Sequence, residues 1–221
     1  RSAEAPRWHA FLEEIFPDDP EKPLLLQQFM GYCLYPSPRF NKALFFYGPG
    51  PTGKSTILKI VRKMLGEENV SCLTPADLGG RFSAATLEGK LANLSSSDFM
   101  NVSTEGLSFL KSAISGDVLQ AERKYYPPRT IHPFVKFLFA TNTAGVKGPT
   151  GSLARRALVL QFNRPLDRDE MDPSLADHLE KEIEGIFSWA VKGLERLLQR
   201  DAFHESPVMA RERRKFFFGR A

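Results

Sequence analysis

The spacing of apolar residues changes several times along this chain. Trp8, Phe11, Leu12, Ile15 and Phe16 recur three and four residues apart, which predicts a helix. Pro17, Pro20 and Pro23 interrupt that pattern. A second apolar helix is expected from Leu24 to about Leu34, with Pro36-Ser37-Pro38 as a linker. Residues 1–40 read either as a small helical subdomain ahead of the core or as covering layers packed on it. The run Ala43-Leu-Phe-Phe-Tyr47 is apolar throughout and bounded by Lys42 and Gly48, as a strand buried on both faces would be. A helix is expected from about Lys54 to Leu65, with Ile57, Leu58, Val61, Met64 and Leu65 on its apolar side and Gly66 as its stop.

Further on, residues 90–94 predict a short strand and 104–115 a helix. Residues 118–130, with Tyr125, Tyr126, Pro127 and Pro128, predict a hairpin or long turn. Val135–Ala140 and Ala157–Phe162 predict two more strands, separated by a Gly- and Thr-rich loop at 143–154. From Pro173 to Leu198 a wide apolar face predicts one helix. Strands alternating with helices predict a parallel sheet in an α/β sandwich. The basic stretch from Arg211 to Ala221 is expected to be a helix packed on the core or leading to a further domain, with a nucleic-acid arm as the alternative. There is no internal repeat.

Composition narrows this picture only a little. Of 221 residues, 42% are hydrophobic, enough for a sizeable core and too many for a disordered chain. No apolar stretch approaches the roughly 18–20 residues of a membrane span, and no leader is visible. A chain starting at Arg1 is read as a piece of a longer polypeptide. Cys33 and Cys72 form no Cys-x-x-Cys pair and have no His at metal-ligand spacing. Two reduced core thiols are expected, which fits a cytoplasmic or nucleoid location. A formal net charge of +4 permits nucleic-acid binding without requiring it.

The chemistry is concentrated after the first strand. Gly48-Pro49-Gly50-Pro51-Thr52-Gly53-Lys54-Ser55 matches G-x-x-x-x-G-K-[ST] at every fixed position, with a strand entering and a helix leaving. Glycines let successive backbone N–H groups approach phosphate oxygens, and the helix N-terminus adds positive potential. Lys54 is the candidate for the β- and γ-phosphates and Ser55 for Mg²⁺. The cradle extends to Thr56. Such a site also needs a carboxylate at a neighbouring strand end, and Asp98 is the only acid just past the strand ending at Leu94. Asn142, after the strand ending at Ala140, could orient an attacking water. Arg155 and Arg156 could stabilise charge on a neighbouring subunit's γ-phosphate. Arg123 and Lys124 beside Tyr125 and Tyr126 would suit a single strand with bases to stack on. For Asp98 a turn cap, for the arginines surface salt bridges and for the tyrosines a solvated turn remain the alternatives.

In order and spacing these motifs resemble the superfamily 3 helicases of the AAA+ class, in particular phage and plasmid primases that carry a helicase domain. The resemblance runs from Pro6-Arg7-Trp8 through Gln27–Tyr32, the glycine loop, Leu87–Leu94, Ser115-Gly116-Asp117, Ala121–Lys124, Phe139–Asn142 and Arg155-Arg156 to Phe187–Leu194. It implies an AAA+ P-loop NTPase, a three-layer sandwich with a parallel central sheet preceded by a small helical subdomain. The divisions expected are 1–40 helical, 41–200 ATPase and 201–221 a helical, basic tail.

The same resemblance implies ATP and Mg²⁺ as cofactors, with Ser55 and Asp98 as the metal's side chains. Asn142 would be sensor 1, Arg156 or Arg155 an arginine finger acting in trans, and Lys124 a pore-hairpin cation. A hexameric ring on single-stranded or forked DNA would be the assembly, with a primase region in the same polypeptide, in a bacterial host's cytoplasm. Two departures stand out. The family's acid slot holds Ser97, with Asp98 one residue later, so either the chain bulges to bring Asp98 in or turnover is reduced. The proline that often follows the sensor asparagine is replaced by Thr143-Ala144-Gly145. Two other functions fit parts of the pattern: a nucleotide-binding DNA-assembly protein with little turnover, and a P-loop kinase of small molecules.

Overall fold

A computed structural model describes residues 4–17, 19–99, 102–146, 150–166 and 172–219. The chain opens with α1 (Pro6–Ile15) and α2 (Lys22–Cys33), then β1 (Ala43–Tyr47), α3 (Lys54–Leu65) and the two-residue β2 (Val70–Ser71). Next come α4 (Ser83–Leu87), β3 (Ala92–Ser96), α5 (Thr104–Ser115) and the pair β4 (Leu119–Arg123) and β5 (Tyr126–Ile131). The last part holds β6 (Lys136–Thr141), α6 (Gly151–Arg156), β7 (Ala157–Gln161), α7 (Leu175–Lys181), α8 (Ile183–Arg200) and α9 (Pro207–Phe218).

β1 is apolar on both faces because it lies inside the sheet. The five strands run in the order β2-β3-β6-β1-β7, and every pairing is parallel. Alternate side chains therefore enter two cores. Leu44 and Phe46 point into one, with Leu138, Ala140, Leu158 and the apolar sides of α1, α2, α3 and α8. Ala43 and Phe45 point into the other, with Phe137, Phe139, Val159 and residues of α5, α6 and α9. The result is the expected three-layer α/β sandwich with a parallel central sheet and helices ahead of it.

The N-terminal helices share the first core with the sheet. α1 begins at Ala5 without a side-chain cap, and Glu182, from the far end of the chain, supplies one. Its carboxylate accepts the N–H of Arg7 at 3.0 Å and of Trp8 at 2.9 Å, which satisfies two first-turn donors with an anion. α2 crosses α8 at backbone contact. A Cβ on Gly31 would lie 2.3 Å from the Ala190 carbonyl oxygen, and one on Gly193 would lie 2.2 Å from that of Gln27.

Several boundaries differ from those expected. The strand read at 90–94 is Ala92–Ser96, in register with β6 from Ala92 opposite Lys136 to Ser96 opposite Ala140. The loop read at 143–154 ends in α6, and its residues 147–149 lie outside the described residues. The single helix read from Pro173 is two, with a break at Glu182, the residue that caps α1. The C-terminal stretch is a packed helix. Ser206 caps α9 by accepting the Met209 N–H at 3.2 Å, and Phe216 and Phe217 sit against Phe45. Cys33 is buried as expected, but Cys72 is exposed.

One buried charge stands out at the start of β6. Lys136 is 1% exposed, lies 4.7 Å from the centre of the Tyr32 ring, and donates to the carbonyls of Tyr35 and, at 2.6 Å, Phe134. Burial pulls its pKa down to about 8. The neighbouring Cys33 thiol is pushed up to about 12, also by burial.

Candidate nucleotide site

The glycine-rich turn leaves β1 at the carboxyl edge of the sheet. Phe162, just past β7, donates its N–H to the Tyr47 carbonyl at 2.7 Å. That crowds the turn so closely that a Cβ on Gly48 would lie 2.3 Å from the Phe162 carbonyl oxygen. Gly53 precedes α3 at φ +90°, a conformation that side chains disfavour, and Phe11 and Ile15 of α1 approach the same point. The N-terminal helix thus closes over the loop. α3 starts at Lys54 with no acid in its first turn, so its N-terminal end keeps its positive potential.

Lys54 is 6% exposed. Its ammonium is held within the loop, donating to the Gly48 carbonyl at 2.6 Å, the Gly50 carbonyl at 3.1 Å and Thr52 Oγ1 at 2.9 Å. Burial lowers its pKa. An anion arriving at the loop would meet a charge already centred there and incompletely hydrated.

A cavity of about 580 Å³ opens in front of the loop. Because β1, β3 and β6 are parallel neighbours, the residues after each of them reach its walls. Gly50 through Thr56 line one side, Ser96, Ser97 and Asp98 a second, and Ala140, Thr141 and Asn142 a third. β3 pairs without irregularity through Ser96, so Asp98 enters by the turn beyond the strand and not through a bulge within it. Phe99 anchors that turn, fully buried with its ring 4.7 Å from Phe139 and 5.1 Å from Phe45. Asp98 Oδ1 accepts from the hydroxyls of Thr141 and Thr143, each at 3.1 Å. The structure thus brings Lys54, Ser55, Asp98 and Asn142 around one space. Oxygen donors from Ser55 and Asp98 suit a hard divalent cation that completes its shell with phosphate and water. No cluster of three or more His, Cys, Asp or Glu that could hold a metal ion occurs among the described residues.

The cavity also has walls that its motifs did not reveal. Arg7, Phe11 and Glu14 come from α1, and Leu166, Asp172, Leu175 and Ala176 from the segment around the start of α7. Arg7 and Glu14 form an ion pair at 2.8 Å across two turns of α1. Only long-range packing brings these residues to the loop. The sole sequence signal was Arg7 within the Pro6-Arg7-Trp8 match.

The remaining candidates lie elsewhere. Arg155 and Arg156 end α6 where β7 begins, and Ala157 pairs with Ala43 at the start of β1. They therefore sit at the sheet edge opposite the loop, and neither lines this chain's own cavity. Arg155 is exposed, and its carbonyl accepts from Lys42 at 2.6 Å. Arg156 donates to Ser115 Oγ at 3.0 Å and to the Ser152 carbonyl at 3.1 Å. Residues 118–130 do form a hairpin, and β4 and β5 are antiparallel. Lys124 and Tyr125 are its tip, with the Lys124 ammonium 5.0 Å from the Tyr125 ring centre. Arg123 is paired with Glu88 at 3.1 Å.

A glycine-rich turn between a parallel strand and a helix, with a buried lysine and polar strand ends around a cavity, defines the class. This is an α/β protein with a P-loop-like fold. The profile of the family of unknown function DUF5906 matches residues 46–156, just over half of the chain, and the chain belongs to that family. The match spans the glycine loop, Asp98, the hairpin, Asn142 and both arginines.

Solved structures agree on the fold. An apo A-form structure of the NrS-1 C terminal region, residues 305–718, superposes with a TM-score of 0.71 at 19% identity, covering 96% of this chain and 51% of that one. An apo A-form structure of the NrS-1 C terminal region gives 0.70 at 21% identity, over 88% and 48%. A further apo structure of residues 305–718 gives 0.70 at 19%, over 91% and 53%. The chain spans about half the length of these structures. No helix among the described residues is long and apolar enough to cross a membrane.

Proposed function

We propose that this chain is the ATP-driven motor domain of a DNA helicase, working as a ring on single-stranded DNA next to a primase region. The observation that carries the reading is the convergence of Lys54, Ser55, Asp98 and Asn142 on one cavity at the glycine loop. Lys54 and the first-turn amides of α3 hold the β- and γ-phosphates. Ser55 and Asp98 hold Mg²⁺, which when bound neutralises charge on the same phosphates. Asn142 orients the attacking water. The apolar walls from Phe11, Leu175 and Ala176 enclose the nucleoside end.

Arg156, with Arg155 beside it, lies too far round the sheet to serve its own site. A neighbouring copy is where such a cation would act, at the γ-phosphate of the next subunit in the ring. The hairpin tip, with Lys124 and Tyr125, grips the strand by charge and stacking.

The direct test is ATP hydrolysis with and without single-stranded DNA. Turnover stimulated by DNA in the parent protein and absent in Lys54→Ala is the expected result. Undiminished turnover in the variant would overturn the site assignment.

A second reading is supported by Asp98 itself. Its Oδ1 is already occupied by two hydroxyl donors, and the acid lies one residue beyond its usual slot. A nucleotide-binding assembly protein would bind ATP and DNA while turning over slowly, with DNA giving no stimulation. The same assay separates the two.

A further inference from the structure

Two arginines from opposite strands of the hairpin converge on a single carboxylate oxygen. Arg123, next to the tip on β4, donates to Glu88 Oε2 at 3.1 Å, and Arg129 of β5 donates to the same oxygen. Glu88 ends α4, on which the hairpin rests through a small cluster of Ala84, Ala121 and Ile131. The side chain of Glu88 is 28% exposed, and those of Arg123 and Arg129 are 53% and 51% exposed. Tyr125 at the tip and Tyr126, which pairs with Arg123, are 89% and 72% exposed.

Guanidinium forks recognise the planar oxygens of carboxylates and phosphates in the same way. Two forks aimed at one oxygen, beside unpacked aromatic rings, make a site for a backbone phosphate that an internal carboxylate already fills. We propose that Glu88 is an intramolecular stand-in for a phosphodiester. Single-stranded DNA at the tip displaces it, takes over Arg123 and Arg129, and so recruits Arg129 as a further binding residue.

The exchange is physically cheap. Exposed ion pairs are weak and screened by salt. A strand offers several phosphates and releases condensed counterions as they bind. Glu88 thereby lowers affinity for lone anions more than for a strand that also stacks on the tyrosines. Glu88 also stands four residues ahead of β3, whose far end leads to Asp98, so the exchange takes place on a segment that continues to the nucleotide cavity.

This inference rests on the reading of the hairpin as a DNA site, and the experiment separates the two. Binding of a labelled oligothymidylate to the full chain is measured across a salt series. Glu88→Gln is expected to bind about threefold tighter at low salt, the scale of releasing exposed ion pairs. Glu195→Gln, an equal change of net charge at an exposed position of α8, is expected to match the parent. Arg129→Gln is expected to bind more weakly and to reduce the slope of log K against log salt by about one.

Equal effects of Glu88→Gln and Glu195→Gln, or an unchanged slope in Arg129→Gln, would overturn the exchange. Lys124→Ala and Tyr125→Ala report on the underlying reading. If both bind like the parent, the hairpin is not a DNA site. If both lose binding while the Glu88 and Arg129 variants do not differ from the parent, the hairpin reading holds and the exchange is refuted.

Discussion

Tyr125 sits at φ +68°, in the left-handed region that bulky side chains avoid. A two-residue hairpin tip demands such a conformation, and glycine or asparagine would meet it at lower cost. A tyrosine kept there, 89% exposed with the Lys124 ammonium beside its ring, belongs to none of the hydrophobic clusters among the described residues. Strain of this kind collects at functional positions. Tyr125→Gly is therefore expected to raise stability by about 1 kcal/mol in urea melts. The same variant should weaken single-stranded DNA binding by about fivefold or more, the scale of one lost base stack. Lower stability together with unchanged binding would mark the ring as a structural element of the turn.

Lys136 gives a second prediction at this scale. Its ordinary pKa is 10.5 and burial lowers it to about 8 in the fold. Above about pH 8 the folded chain loses a proton that the unfolded chain still holds, so stability rises with pH. Cys33 acts with the opposite sign. Its ordinary value is 9.0 and burial raises it to about 12, so above pH 9 the unfolded chain loses the proton first and stability falls. Burial of Tyr32 raises its pKa as well, which adds to the fall above pH 10. Urea midpoints should therefore rise by an amount equivalent to about 1 kcal/mol at most between pH 8 and 9, level off, and drop beyond pH 10. Lys136→Met should abolish the rise, and a rise that survives it would assign the effect to other groups.

Among the elements, those carried by local pattern were the ones the sequence made plain. β1 was legible because a strand buried on both faces is a continuous apolar run. α3 and α5 were legible because each has a clear stop, Gly66 at φ +86° and Gly116 at φ +71°. β2 has two residues and no period to detect. α6 hides in a stretch rich in Gly and Thr. The break between α7 and α8 falls at Glu182, which leaves helical geometry to cap α1, a long-range demand that no window of sequence contains.

The candidate site divides the same way. Lys54 and Ser55 belong to a contiguous motif, and the ends of β3 and β6 could be inferred from a parallel sheet. Arg7, Phe11 and Glu14 reach the cavity only because α1 folds back over Gly53. The crossing of α2 and α8 is the most exacting contact between elements. Gly193→Ala would drive a Cβ into the Gln27 carbonyl, and a loss of about 1–3 kcal/mol is expected in thermal or urea unfolding. A variant as stable as the parent would mean that the two helices can separate at no cost.

For the whole molecule, the arrangement of charges argues for action between copies. The glycine loop lies at the carboxyl edge of the sheet and Arg156 at the opposite edge, so a complete site under the proposed function needs two chains. Lys54→Ala and Arg156→Ala should each be inactive alone as ATPases. Mixed together they should recover a fraction of parental turnover, because some boundaries then join an intact loop to an intact arginine. No recovery at any ratio, with the assembly itself preserved, would remove Arg156 from the role.

The account depends most on the cavity in front of Lys54 accepting a triphosphate. A titration of the full chain with a fluorescent ATP analogue and Mg²⁺ tests this without requiring turnover, DNA or a ring. Saturable binding, competed by ATP and lost in Lys54→Ala, is the predicted result. A parent protein that shows no saturation up to millimolar nucleotide, or a Lys54→Ala variant that binds like the parent, would contradict it.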